Sequence, residues 1–126
     1  MSETTDKTIL IVDNQPSETR RLIRQLDYIG LKATFATTGE GALQKVAEHA
    51  PALVLLEVSL SDMDGLQIVS FLRNSTKTRD VPILAMSVFP HMRDRCLQAG
   101  CNHFIQKPFK MLEVVTLIRK CLLQHH

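Results

Sequence analysis

The sequence predicts an α/β fold: a central five-stranded parallel sheet between two layers of helices. Three observations predict it. Strand-like and helix-like segments alternate five times along the chain. The strand-like runs at residues 8–12, 53–56 and 81–87 are largely apolar, as strands buried on both faces require. No internal repeat, low-complexity tract or linker interrupts the alternation. One domain over residues 1–126, with a core from about 8 to 122, is therefore expected.

The first strand is expected at residues 8–12, "TILIV", a β-branched apolar run. Pro16 then sits where a first helical turn tolerates it, and Leu22, Ile23, Leu26 and Ile29 form an apolar stripe closed by Gly30. Residues 31–36, "LKATFA", alternate apolar with polar, so the second strand suits a sheet edge. A short helix over 41–50 turns Leu43, Val46 and Ala47 inward. The third strand covers 53–56, followed by a helix over 66–73 with Leu66, Ile68, Val69 and Leu72 inward. The fourth strand is 81–87, "VPILAMS", and the next helix runs from Pro90 to a stop at Gly100. "HFIQ", 103–106, is the fifth strand. The last helix, 110–123, places Met111, Val114, Val115, Ile118, Cys121 and Leu122 on one stripe. Right-handed crossovers follow from the parallel order.

Bulk properties narrow the function classes. The chain has 126 residues, 44% hydrophobic and 22% charged, which suits a soluble globular domain. A net charge of +2 is too small to argue for nucleic acid. No apolar run approaches the roughly 18–20 residues of a membrane span. The polar opening "MSETTDKT" lacks a signal peptide's apolar core, so a cytoplasmic location is expected. Cys96, Cys101 and Cys121 lack metal-type spacing and read as reduced thiols, although Cys96 and Cys101 fall close together across a turn. His91 and His103 lack a matched metal spacing, and the terminal pair His125 and His126 reads as a tag remnant. Arg20, Arg21 and Arg24 read first as a solvated helix face and second as a kinase-facing patch.

Ligands of open parallel sheets bind outside the carboxyl ends of the strands. Those ends carry Asp13 and Asn14, then Glu57, then Ser87, then Lys107 with Pro108. A lone Asp there is ordinarily a loop or helix cap, and a lone Ser or Lys is incidental. Polar groups at four strand ends together point to a site. They also explain why the apolar run 53–56 ends on the carboxylate Glu57.

Four segments in order carry a resemblance: "ILIVDNQPSETRRLIRQL", "PALVLLEVSLSDMDGLQIVSFLR", "VPILAMS" and "AGCNHFIQKPF". The chain resembles the receiver domain of bacterial two-component response regulators, over about residues 8–122. The resemblance implies a flavodoxin-like (βα)5 sandwich and transfer of a phosphoryl group from a histidine kinase to an aspartate. It implies Mg²⁺ held by an acidic pair, the acceptor and a backbone carbonyl, with a hydroxyl and a lysine gripping the phosphoryl oxygens. Asp13 matches the first acid, Ser59 the carbonyl, Ser87 the hydroxyl, Lys107 the lysine and Phe104 the switch aromatic. Asn14 stands where the second acid is expected, and Glu57 where the acceptor Asp is expected. Ser61 replaces a proline common in the following loop.

Both site departures weaken phosphorylation. Asn14 removes a charge that hard dications prefer, so Mg²⁺ binding is expected to be weak. Glu57 pushes its carboxylate roughly 1–1.5 Å outward, and a misplacement of about 1 Å costs on the order of 10²-fold where catalysis rests on positioning. The longer arm also reaches toward Lys107, into space a phosphoryl group needs. Three readings stay open. One is a pseudo-receiver that works by protein–protein interaction, with Glu57 partly imitating the phosphorylated state. Another is a working receiver with weakened Mg²⁺ dependence, labelled on Glu57 or on Asp62 or Asp64. The third is unrelated chemistry on the same fold, such as a small phosphatase, against which stands the lack of an Asp-x-Asp motif after the first strand.

The family signals through helix 4, strand 5 and helix 5, so the expected partner is a histidine kinase or a downstream protein. Leu112, Leu117 and Leu123 on the last helix fit partner docking or homodimerisation, or else a frayed helix with stray leucines. A non-enzymatic module is expected, either standing alone or excised from a larger regulator.

Overall fold

The computed structural model describes residues 7–124; the N-terminal stretch through Asp6 and the pair His125 and His126 lie outside the described residues. The elements are β1 (Ile9–Val12), α1 (Pro16–Tyr28), β2 (Ala33–Ala36), α2 (Gly39–Glu48), β3 (Leu53–Glu57), α3 (Gly65–Arg73), β4 (Ile83–Ser87), α4 (Met92–Ala99), β5 (His103–Gln106) and α5 (Met111–Gln124). The five strands form one sheet in the order β2-β1-β3-β4-β5, and every pairing is parallel. β2 lies at an edge, where its alternating pattern belongs. No helix among the described residues is long and apolar enough to cross a membrane.

Every residue of β1, β3 and β4 is buried. Successive side chains point to opposite faces, so the apolar runs feed two cores. Leu10, Val12, Val54 and Leu56 pack with Ala42 and Val46 of α2, Ile68 and Leu72 of α3 and Cys96 of α4. Ile9, Ile11, Leu53 and Leu55 pack on the other face with Leu22 and Leu26 of α1 and Val114, Ile118 and Cys121 of α5. Two helices thus cover one face and three the other.

Capping explains the shifted start of α2. α2 starts at Gly39, because the Thr38 hydroxyl accepts the Gly41 N–H at 3.0 Å. The inward face is centred on Ala42 and Val46, which are buried; Leu43 on its flank is half-buried, and Ala47, expected inward, is exposed. α4 begins at Met92, not at Pro90, and ends on Gly100 in a left-handed conformation (φ 117°) that lacks steric cost only for glycine. β3 extends one residue past the apolar run, so Glu57 itself pairs with Met86 of β4.

Arg73, at the end of α3, fastens the edge of the sheet where strands begin. Its guanidinium donates to the carbonyls of Arg79 (3.0 Å), Val81 (2.7 Å) and Gly100 (3.0 Å) and to Asn102 Oδ1 (3.0 Å). Asn102 Oδ1 also accepts the Ile83 N–H at 2.8 Å, at the start of β4.

Candidate functional site

The carboxyl ends of the strands bring Asp13, Glu57 and Lys107 into direct contact. Lys107 Nζ lies 2.8 Å from Asp13 Oδ2 and 2.8 Å from Glu57 Oε1. The second oxygen of each acid accepts a backbone N–H two residues on. Gln15 N donates to Asp13 Oδ1 at 3.0 Å, and Ser59 N donates to Glu57 Oε2 at 3.0 Å. All three side chains are buried. A third carboxylate joins them: Glu18 Oε1, from the first turn of α1, lies 3.0 Å from Lys107 Nζ. Burial alone would lower the Lys107 pKa, but the bonds to Asp13, Glu57 and Glu18 outweigh it and raise it. The side chain is therefore a fixed ammonium.

Local sequence positions each group. The apolar runs of β1 and β3 terminate in register beside one another, with Val12 paired to Leu56. Lys107 follows β5, and its N–H donates to the Ser87 carbonyl at 2.8 Å, which fixes where its side chain starts. The Lys107–Pro108 peptide is cis. Ser87 is buried at the end of β4, and its hydroxyl accepts the Phe89 N–H at 3.0 Å. Asn14 and Ser59 are exposed at the rim. Phe104 sits in β5 opposite Ala85, half-buried against the core that contains Cys96 and Cys101.

The loop after β3 is held from both ends. Asp62 accepts the Gly39 and Glu40 N–H groups at 2.9 and 3.0 Å, at the start of α2. These two backbone bonds hold its carboxyl below the ordinary carboxylate range. Asp64 caps α3, accepting the Leu66 N–H at 2.9 Å. Both acids are therefore engaged with helix N-termini. Gly65 closes the loop: its N–H donates to the Val58 carbonyl at 2.9 Å, and a Cβ there would fall 2.6 Å from Val58 Cα.

The donor set fits a hard dication poorly. The two buried carboxylates already share the Lys107 ammonium and are each engaged by a backbone N–H. Asn14 contributes only a neutral amide at the rim. Among the described residues, no group of three His, Cys, Asp or Glu side chains is arranged to hold a metal ion.

Sequence reasoning missed Glu18. A signal was present: Glu18, Leu22 and Leu26 are spaced by four, so Glu18 continues the buried stripe one turn toward the site.

The chain matches the model of the response regulator receiver domain over residues 9–119. It is 33% identical over 113 residues to the transcriptional regulatory protein KdpE of Mycobacterium tuberculosis (strain ATCC 25618 / H37Rv), covering 88% of this chain and 49% of that protein. The chain thus spans about half the length of that relative. It is 31% identical to an uncharacterized 14.6 kDa protein of Leptolyngbya boryana, covering 90% of this chain and 89% of that protein. Among solved structures, a two-component response regulator from Clostridium difficile superposes with a TM-score of 0.83 at 27% identity, covering 94% of this chain and 97% of that one. The receiver domain of sensor histidine kinase PA1611 from Pseudomonas aeruginosa PAO1, with a magnesium ion coordinated in its active-site cleft, gives 0.82 at 26% identity, covering 92% and 97%.

Proposed function

Because the chain belongs to the response regulator receiver domain family, we propose that it is a receiver-like module of two-component signalling that works through protein–protein contacts without aspartyl phosphorylation. One observation carries this reading. Glu57, at the acceptor position, rests its carboxylate on Lys107 Nζ at 2.8 Å. A carboxylate there occupies the lysine that a phosphoryl oxygen would need. Its second oxygen is held by the Ser59 N–H, so the attacking atom is tied down as well. The poor metal donor set points the same way, because phosphoryl transfer needs the dication's charge neutralisation. A weak Mg²⁺ site at Asp13, Asn14, Glu57 and the Ser59 carbonyl belongs to this reading.

In this role the Glu57 carboxylate stands in contact with Lys107 without any phosphoryl group. Ser87 and Phe104 remain as the switch pair, biased by a bound partner rather than by phosphate. Partner docking is assigned to α4, β5 and α5. Leu112 is 77% exposed and Leu123 72% exposed on α5, a surface for a kinase, a downstream protein or a second copy. The module is non-enzymatic and cytoplasmic in this proposal.

Incubation with acetyl phosphate and Mg²⁺, read by intact mass, tests it. The native chain should gain no phosphoryl group. Asn14→Asp with Glu57→Asp, which restores both acids while Ser87 and Lys107 stay in place, should gain one. Ready labelling of the native chain would replace this reading by that of a working receiver, phosphorylated by a histidine kinase with weakened Mg²⁺ dependence.

A further inference from the structure

An ammonium has three N–H donors and no acceptor. Asp13 and Glu57 take two sides of the Lys107 ammonium at 2.8 Å each. Glu18 covers another at 3.0 Å. Three carboxylates surround one cation, so an external oxyanion can reach it only by displacing one of them.

The three are not equally held. Asp13 and Glu57 are buried, and each is pinned by a second bond to a backbone N–H. Glu18 is 33% exposed, lacks such an anchor among the described residues, and meets the ammonium at 3.0 Å against 2.8 Å for the other two. It reaches the site from a helix, not from a strand end, so its withdrawal leaves the sheet edge intact. Glu18 is thus the carboxylate that can yield.

We infer that Glu18 is the specificity-determining residue that closes Lys107 to external tetrahedral oxyanions, an internal anion covering the last accessible side of the ammonium. The inference rests on the reading that the native chain carries no phosphoryl group on Glu57. It adds a component that restoring Asn14 and Glu57 to Asp would leave in place. A phosphate oxygen must compete with Glu18 for the same charge, and a charge-assisted bond of this kind is worth about tenfold or more in affinity.

Titration of the folded chain with inorganic phosphate, followed by amide NMR shifts at Glu57, Ser59 and Lys107, tests the inference. Glu18→Ala and, independently, Glu18→Gln should each bind phosphate at these amides about tenfold or more tightly than the native chain. Asp27→Asn removes the same charge about two and a half turns further along α1 and should leave the affinity at the native level. If neither Glu18 variant gains affinity, or if Asp27→Asn gains as much, the inference is overturned. Acetyl phosphate labelling of the native chain judges the pseudo-receiver reading separately, because it is scored by mass on unaltered Glu18.

Discussion

Replacing Lys107 by Met asks how much of the fold rests on the ion cluster. Met keeps the length and apolar character of the stem, so little cavity forms. What disappears is the ammonium that sits 2.8 Å from both Asp13 and Glu57. Each acid then keeps a single backbone bond inside a buried site. Removing one partner of a buried ion pair costs about 3–5 kcal/mol, mainly through the charge left behind. The Glu18 contact, buried on the lysine side and partly exposed on the other, adds about 1–2 kcal/mol. Against a total stability of about 5–15 kcal/mol, the expected loss is a large fraction. It corresponds to a Tm lower by roughly 10–20 °C for a chain of this size. Because the folded pKa of Lys107 is raised, its contribution is present in full below the unfolded value of 10.5. It is lost only as the pH rises through the folded pKa. Urea unfolding at pH 7 therefore reads the whole effect, with an unchanged m-value if the loss is one of stability alone. Adding Glu57→Gln to Lys107→Met should recover more than about 1 kcal/mol, since it removes one stranded charge. A loss below about 1 kcal/mol for Lys107→Met would refute the reasoning, because it would mean that the acids reach water.

Two further outcomes are expected. Gly65→Ala should lower stability by about 1–3 kcal/mol in thermal melts, because its Cβ would press on Val58 backbone atoms at 2.6 and 2.9 Å that cannot turn aside; an unchanged Tm would contradict that crowding. Burial pushes the Cys101 thiol up to about 12 from 9.0, so the unfolded chain loses this proton first and stability should fall as pH rises from about 9 toward 12. Cys101→Ala should flatten part of that slope, and an identical slope would assign it to other groups.

The fold was legible because its signals are local. The runs in β1, β3 and β4 carry their burial in their own composition, and β2 carries its edge position in its alternation. The strand-end residues Asp13, Ser87 and Lys107 followed from the parallel topology alone. Helix phase was less secure: α2 packs the stripe of Ala42 and Val46 inward and leaves Ala47 exposed beyond its flank, and the apolar residues of 41–50 fit either phase. Contacts that join distant segments were not legible. Asp62 bonds residues 22 and 23 positions earlier, and nothing near it in the chain marks that it caps α2. Arg73 ends a helical segment and carries no local mark of a role, yet it reaches five acceptors within the next 29 positions. Glu18 lies between these cases, since its spacing was visible and its partner, 89 positions away, was not.

The Arg73 rivet has a mechanical consequence. It ties α3, the segment before β4 and the turn before β5 into one joint at the edge of the sheet opposite the Lys107 cluster. With that edge clamped, sliding of α3 and α4 past the sheet breaks these bonds, whereas tilting about the joint keeps them. A small angular change there is levered along the length of each helix and is largest at the ends that border the acidic cluster and the β4–α4 loop. The chain is thus built as a set of splints hinged at one end, and displacement at the open end is the motion this geometry leaves cheapest.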